Sequence, residues 1–219
     1  PSVIAAANVC DEVLTVDATS VPRYTCNGRF STADDTDTTL DQLCQAMAGF
    51  ATFTGGAWHI QAGAYTAPVM ALTDADNAGP VQMVPAPAQS DLLNGLRGRY
   101  FDPARYGQLT DYVPYVNAGF ATADGEEFVD DLDLPFTDSA WRAHNLARIQ
   151  VERSRGMQLV YPAKMRALRL KPGHRVTMTS AALNLSAAVF RVVKREYQPG
   201  GAVNLTLVFD SPDFYDEVD

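Results

Sequence analysis

The sequence predicts an α+β fold, mostly antiparallel β with about three helices, and three observations carry that expectation. Short runs of alternating apolar and polar residues are punctuated by glycine and proline, the period-2 pattern of half-buried strands. Helical stretches interrupt those runs irregularly, whereas a parallel α/β sheet requires regular strand and helix alternation. Hydrophobic residues make up 47% of the 219 positions and charged residues 20%, enough apolar surface to build a core without disulfides or a structural metal.

Residues 2–14 place Val3, Ala6, Ala7, Cys10, Val13 and Leu14 at helical spacing, with Ser2 available as a cap. After the Val21-Pro22 break, residues 23–30 read as a strand in which Asn27-Gly28 marks a bulge or turn. Residues 36–47 give a second helix, striped by Leu40, Leu43, Cys44 and Met47 and closed by Gly49. Two runs, 51–54 and 57–61, flank Gly55-Gly56, a two-residue hairpin signal that puts Trp58 and Ile60 on one face and His59 on the other. Residues 64–89 are rich in alanine and proline, with a turn at 74–80 between strand candidates. A soft boundary there separates a helix and hairpin unit, 1–75, from a mostly β unit, 76–219.

Residues 92–101 read as a strand despite Gly95 and Gly98. Residues 102–124 read as a long irregular excursion carrying Tyr106, Tyr112, Tyr115 and Phe120, the kind of loop that serves partner contact. Residues 126–134 alternate as a strand stopped by Pro135. Thr137 or Asp138 then caps a helix to about Ser154, with Ala140, Ala143, Leu146, Ala147 and Ile149 inward and Arg142, Arg148 and Arg153 outward. Beyond Gly156 only strands are predicted: 158–162, 165–170, 175–179, 188–197 and 202–209, with turns at 171–173 and 198–201.

Charge is segmented along the chain. Residues 1–137 hold 5 basic and 18 acidic groups, residues 138–200 hold 12 basic and 3 acidic, and the last 19 hold 5 acidic, for a net charge of -9. Such a basic segment suits an acidic surface of a protein partner better than nucleic acid, because no aromatic-interleaved basic motif accompanies it. No apolar run approaches the roughly 20 residues of a membrane-spanning helix, so no membrane insertion is expected. The opening Pro1 suggests excision from a longer polypeptide. Cys10, Cys26 and Cys44 are odd in number and widely spaced, which favours buried free thiols over a zinc site or disulfide framework.

No catalytic, cofactor-binding or metal-binding residue is expected, and no cofactor. Asp34, Asp35 and Asp37 resemble the start of a calcium loop but lack its glycine and distal glutamate, and read as helix-start carboxylates. Asp130, Asp131 and Asp133 read as an exposed strand or as ion-pair partners. His59, His144 and His174 belong to no ligand pair, and Cys44 sits on an apolar stripe where a thiol is inert. No nucleophile elbow, phosphate loop or dinucleotide fingerprint is present.

Two segments carry a resemblance. The first runs through Arg23-Tyr24-Thr25-Cys26-Asn27-Gly28, the Asp41-Gln42-Leu43-Cys44 helix and the Gly55-Gly56-Ala57-Trp58 hairpin. The second comprises the 141–153 helix, Leu168-Arg169-Leu170-Lys171-Pro172-Gly173, Val189-Phe190-Arg191-Val192-Val193 and Leu205-Thr206-Leu207, with Leu93-Asn94 and Tyr100 lying between the two. In their order and spacing, rather than in any short motif, they resemble the tail-tip and baseplate hub proteins of siphophages, prophages and gene transfer agents, the family of the lambda-like tip attachment protein.

The resemblance implies a hub-type fold of paired β-barrel-like units, assembled as a trimer into a ring that caps the tail tube. It implies a structural rather than enzymatic role in tail assembly, host attachment and DNA delivery. The implied partners are other copies of the chain and the tail tube and tip proteins, with transient DNA passage, in a virion tail assembled in the bacterial cytoplasm. Host-range determinants of that family lie in later regions, so direct receptor binding is not expected of this one. Two rival readings have named residues: a cell-wall hydrolase using Asp130 or Asp133 opposite Glu126, and nucleic-acid contact through Arg142, Arg148, Arg153, Lys164 and Arg166.

Overall fold

The computed structural model describes residues 2–16, 18–54, 56–88 and 92–215. In chain order its elements are α1 (Ser2–Cys10), β1 (Val13–Val16), β2 (Thr19–Pro22), α2 (Thr36–Gln45), β3 (Phe50–Thr54), β4 (Ala57–Gln61), β5 (Met70–Thr73), β6 (Gln82–Val84), β7 (Gly95–Arg97) and β8 (Arg99–Asp102). There follow β9 (Gln108–Asp111), β10 (Tyr115–Val116), α3 (Ala118–Asp124), β11 (Val129–Asp131), α4 (Ala140–Ser154), β12 (Gln158–Ala163), β13 (Arg175–Ser180), β14 (Leu185–Tyr197) and β15 (Val203–Phe209). The fold is mixed α+β and mostly β, as expected, with four α-helices among the described residues.

Contacts divide the chain into two interleaved units. The first comprises Pro1–Ala64, Leu93–Glu152 and Tyr215–Asp219, and the second Tyr65–Leu92 and Arg153–Phe214. The interleaving has a simple cause: β5 and β6 leave the first unit's sequence to become the two edge strands of the second unit's sheet.

That sheet has six strands in the order β5-β13-β14-β15-β12-β6, antiparallel except for the parallel β5 and β13 pair. Strand β15 shows why: Val203, Leu205 and Leu207 are fully buried while their neighbours are half-exposed, so one face turns to the core with period 2. Tyr161, Phe190, Leu72, Leu159 and Val176 complete this core. A bulge between Val192 and Lys194 shifts β14 so that Arg195 and Tyr197 oppose Leu205 and Val203. The sheet does not close into a barrel, but an isolated bridge joins Asn77, just past β5, to Ala163 at the end of β12.

In the first unit, Ala143, Leu146, Ala147 and Val151 of α4, spaced as one helix face, pack with Leu96, Leu132, Leu134, Tyr24 and Tyr112. The same unit holds a three-stranded sheet, β10-β7-β11, and the hairpins β1-β2, β3-β4 and β8-β9. Gly98 separates β7 from β8 because nothing larger fits: a Cβ there would lie 2.1 Å from the Leu132 carbonyl oxygen.

Several expectations are corrected. The first helix ends at Cys10, and Val13–Val16 turns into a strand paired with Thr19–Pro22, as its β-branched residues favour. Residues 23–30 are no strand: the Tyr24 amide donates to the Cys10 carbonyl and the Asn27 amide to the Phe136 carbonyl, so no ladder forms. Gly28 is a point of close approach, where a Cβ would meet the Pro135 carbonyl oxygen at 2.6 Å. The 102–124 excursion is largely ordered. The Asp102 side chain caps the turn at Pro103–Arg105, Asn117 caps α3, and Gly125 ends it in the left-handed conformation. The expected strand at 165–170 is a 3-10 helix, Met165–Arg169. Ala167 and Leu170 are buried three residues apart, which is the repeat of that helix.

Candidate interaction surfaces

An acidic edge on the first unit is built by one buried asparagine. Asn94 is fully buried, its Nδ2 donating to Asp124 Oδ2 at 3.0 Å and to the Glu126 carbonyl at 2.8 Å. Its Oδ1 accepts from the Phe128 amide at 2.7 Å. These bonds fold the turn after α3 so that β11 runs parallel to β7 as the outer strand of its sheet. All of β11 is exposed, as are Glu126 and Glu127 ahead of it.

Beside this edge lies a groove of about 490 Å³ lined by Arg97, Arg99, Asp111, Tyr112, Asp131 and Asp133 among others. Arg97 Nε bonds Asp131 Oδ1 at 2.8 Å, and Arg99 grips both Asp133 oxygens. The Arg99 hydrogen bond holds the Asp133 carboxyl below its ordinary range. Burial, and then Asp133 and Asp131, push the Tyr112 phenol well up, and its hydroxyl donates to the Leu132 carbonyl at 3.1 Å.

On the second unit, residues 164–171 form a basic surface. Lys164, Met165, Arg166, Leu168, Arg169 and Lys171 are exposed around the buried Ala167 and Leu170. Lys164 Nζ donates to the Ala75 carbonyl, and Arg166 pairs with Asp76 at 3.0 Å. Arg195 clamps the segment from below, donating to the carbonyls of Leu168 and Leu170, the latter at 2.7 Å. A separate ion pair is interior: Arg175 Nε meets Asp210 Oδ2 at 2.6 Å, with side-chain exposures of 4% and 2%.

The residues singled out from sequence are distributed as follows. Asp130 and Asp131 stand on the exposed β11 edge with Glu126 ahead of it, and Asp133 is held by Arg99. Asp35 caps α2, accepting from the Thr38 amide at 3.0 Å, and Asp34 accepts from the Ser31 amide, which is the helix-start reading. Among the described residues no three histidine, cysteine, aspartate or glutamate side chains converge as metal ligands would.

The outward placement of Arg142 and Arg148 is overturned. Both are buried, Arg142 donating to the Pro22 carbonyl at 2.9 Å and pairing with Asp138, and Arg148 donating to Asn145 Oδ1. The two lie about 120° apart around the helix, and both are covered because α4 is buried on most of its sides between Arg142 and Val151. Cys26 is exposed rather than buried, while Cys44 is buried, its thiol pushed up by burial and by Asp41. Sequence reasoning missed Asn94 and the Arg175 and Asp210 pair, and of the 164–171 surface it named Lys164 and Arg166 alone. Only that surface had a visible signal, cations repeated every two or three residues.

No protein-family profile matches the sequence, and no curated protein matches it. Solved structures do. The chain is similar to one from the virion of a native gene transfer agent particle, with a TM-score of 0.69 and 18% identity over 86% of this chain and 42% of that one. It is also similar to the 43 kDa tail protein of prophage MuSo2 from Shewanella oneidensis, with a TM-score of 0.52 and 13% identity over 87% of this chain and 57% of that one. The chain therefore shares its fold with a gene transfer agent virion chain and a prophage tail protein, and spans about half the length of each. No helix of the described residues is long and apolar enough to cross a membrane.

Proposed function

We propose that the chain is a structural part of a phage or prophage tail, at the tail tip or baseplate hub. There it joins copies of itself, as a trimer, to the tail tube and tip proteins around the path that DNA takes into the host. The observation that carries this reading is the similarity to the gene transfer agent virion chain. At 86% coverage it takes in parts of both units, although only 18% of residues are identical. Topology persists at that distance when packing and assembly constrain it more than individual side chains do.

The test is particle composition. Tails purified from the host strain should contain the chain at one end, located by an epitope tag and electron microscopy, and a strain lacking it should yield no particles that deliver DNA. Tails free of the chain, or normal delivery without it, would refute the proposal. The hydrolase reading has its own test. Peptidoglycan clearing by the purified chain, abolished in Asp133→Asn, would replace a structural role with an enzymatic one.

A further inference from the structure

We infer that the basic 164–171 surface of the second unit receives the acidic 126–131 edge of the first unit of a second copy, head to tail. The inference rests on the assembly reading above and assigns it an interface.

Complementarity of charge comes first. By sequence the first unit holds 7 basic and 20 acidic residues, and the second 10 basic and 6 acidic. The two surfaces concentrate that contrast in side chains left over from internal pairing. Lys164 and Arg166 have intramolecular partners, but Arg169 and Lys171 make no ion pair among the described residues. On the acidic edge Asp131 is paired with Arg97, whereas Glu126, Glu127 and Asp130 have no cationic partner among those residues. Unpaired charges at a protein surface draw an opposite surface toward them and fix its register.

Apolar groups match as well. Met165 and Leu168 are 49% and 40% exposed within the basic surface, and Val129 is 36% exposed within the acidic edge. Each gives its surface a dry centre with charges around it, the ordinary anatomy of an interface. Both backbones are fixed in advance, one by Arg195 and the other by Asn94, so little ordering entropy is lost on docking. Because the two surfaces are different patches of one chain and both are exposed on it, their pairing is heterologous, the kind of contact that adds copies head to tail and forms a ring when the rotation between them closes. Nucleic acid is the weaker occupant: the basic surface offers no aromatic side chain for base stacking, and its cations are interrupted by Met165 and Leu168.

The test mixes unlabelled and 15N-labelled chain and couples amines to carboxylates with a zero-length carbodiimide. Mass spectrometry should find Lys164 or Lys171 joined to Glu126, Glu127 or Asp130 across isotopes. In sedimentation, the paired reversal Arg169→Glu with Lys171→Glu should weaken self-association about tenfold or more, as should Glu126→Lys with Asp130→Lys. Combining the two reversals should restore association to within about threefold, and circular dichroism verifies that each variant is folded. Links confined to one isotope, a monomer at every concentration, or reversals without effect would each overturn the inference. So would duplex DNA binding that depends on Arg169 and Lys171 while self-association is unchanged. If the chain is present in purified tails and these results fail, the interface alone is wrong. If the interface stands and tails lack the chain, only the tail assignment falls.

Discussion

Cutting Asp210 back to alanine should unfold the second unit far more readily than a surface substitution would. The carboxylate lies 2.6 Å from Arg175 Nε, with the two side chains 2% and 4% exposed. Arg175 also donates to Thr66 Oγ1 at 2.8 Å, and its guanidinium lies 4.9 Å from the centre of the Tyr65 ring. Asp210→Ala therefore removes the carboxylate that Arg175 meets in the interior, while the guanidinium itself stays buried. Removing one partner of such a pair costs about 3 to 5 kcal/mol. In a chain of this size each kcal/mol lowers Tm by roughly 2 to 4 °C, giving a fall of about 6 to 20 °C. The double variant Arg175→Met with Asp210→Leu removes both charges and should recover most of that loss, because desolvating two buried charges offsets much of their attraction. Urea and thermal unfolding, with hydrogen exchange of β13 and β15 to follow the second unit, measure both variants. A single variant within about 1 kcal/mol of the parent, or a double variant as unstable as the single one, would refute the reasoning.

Three further outcomes are expected. Gly98→Ala should destabilise the first unit by about 3 kcal/mol or more, read as a lower urea midpoint, because its methyl would collide with the Leu132 carbonyl and the backbone on both sides is held by ladder bonds. Asn94→Ala removes the three bonds that shape the turn before β11 and should cost about 2 to 3 kcal/mol, with faster amide exchange at Phe128 through Asp131 as its signature. Tyr161 gives a pH dependence: burial, and then Asp76 and Asp74, push its phenol up to about 12. The unfolded chain thus loses this proton first, so the stabilisation is complete below about pH 10 and is lost as pH rises toward 12, an effect of up to roughly 3 kcal/mol. Tyr161→Phe should remove that alkaline slope while costing about 1 kcal/mol for the bond to the Thr73 carbonyl, and an unchanged slope would refute the assignment.

What the sequence made legible were elements whose local signals agree with their surroundings. The 57–61 hairpin partner, α2 with its carboxylate cap, and the strands at 158–163, 175–180 and 203–209 fall close to where periodicity places them. Legibility failed where tertiary contacts decide. Residues 23–30 have strand composition, yet their amides bond to the end of α1 and to Phe136, which no local pattern encodes. At 165–170 an alternating reading puts Ala167 and Leu170 on opposite faces, whereas both pack into the core, as a three-residue repeat allows. The α4 arginines show the same limit, because whether a cation on a helix is covered is decided by neighbours such as Pro22 and Asp138.

The carboxylates separate into two groups by what surrounds them, and the separation bears on function. Asp131 and Asp133 in the groove are held by guanidinium groups, and Asp133 is thereby kept ionised over a wider acid range than usual. A hydrolase needs the opposite of one member of its pair: a carboxylic acid pushed up, so that it is protonated and able to donate when the leaving group departs. A group stabilised as an anion by Arg99 is suited to fixing β8 against the 132–134 segment and unsuited to that proton transfer. Glu126, Glu127 and Asp130 form the other group, exposed and without a cationic partner among the described residues, on a strand edge that a buried asparagine holds in place. Charges left unpaired on a rigid edge gain most from a partner surface of opposite sign. The same chain supplies one at residues 164–171, the surface that the inferred interface sets against these carboxylates.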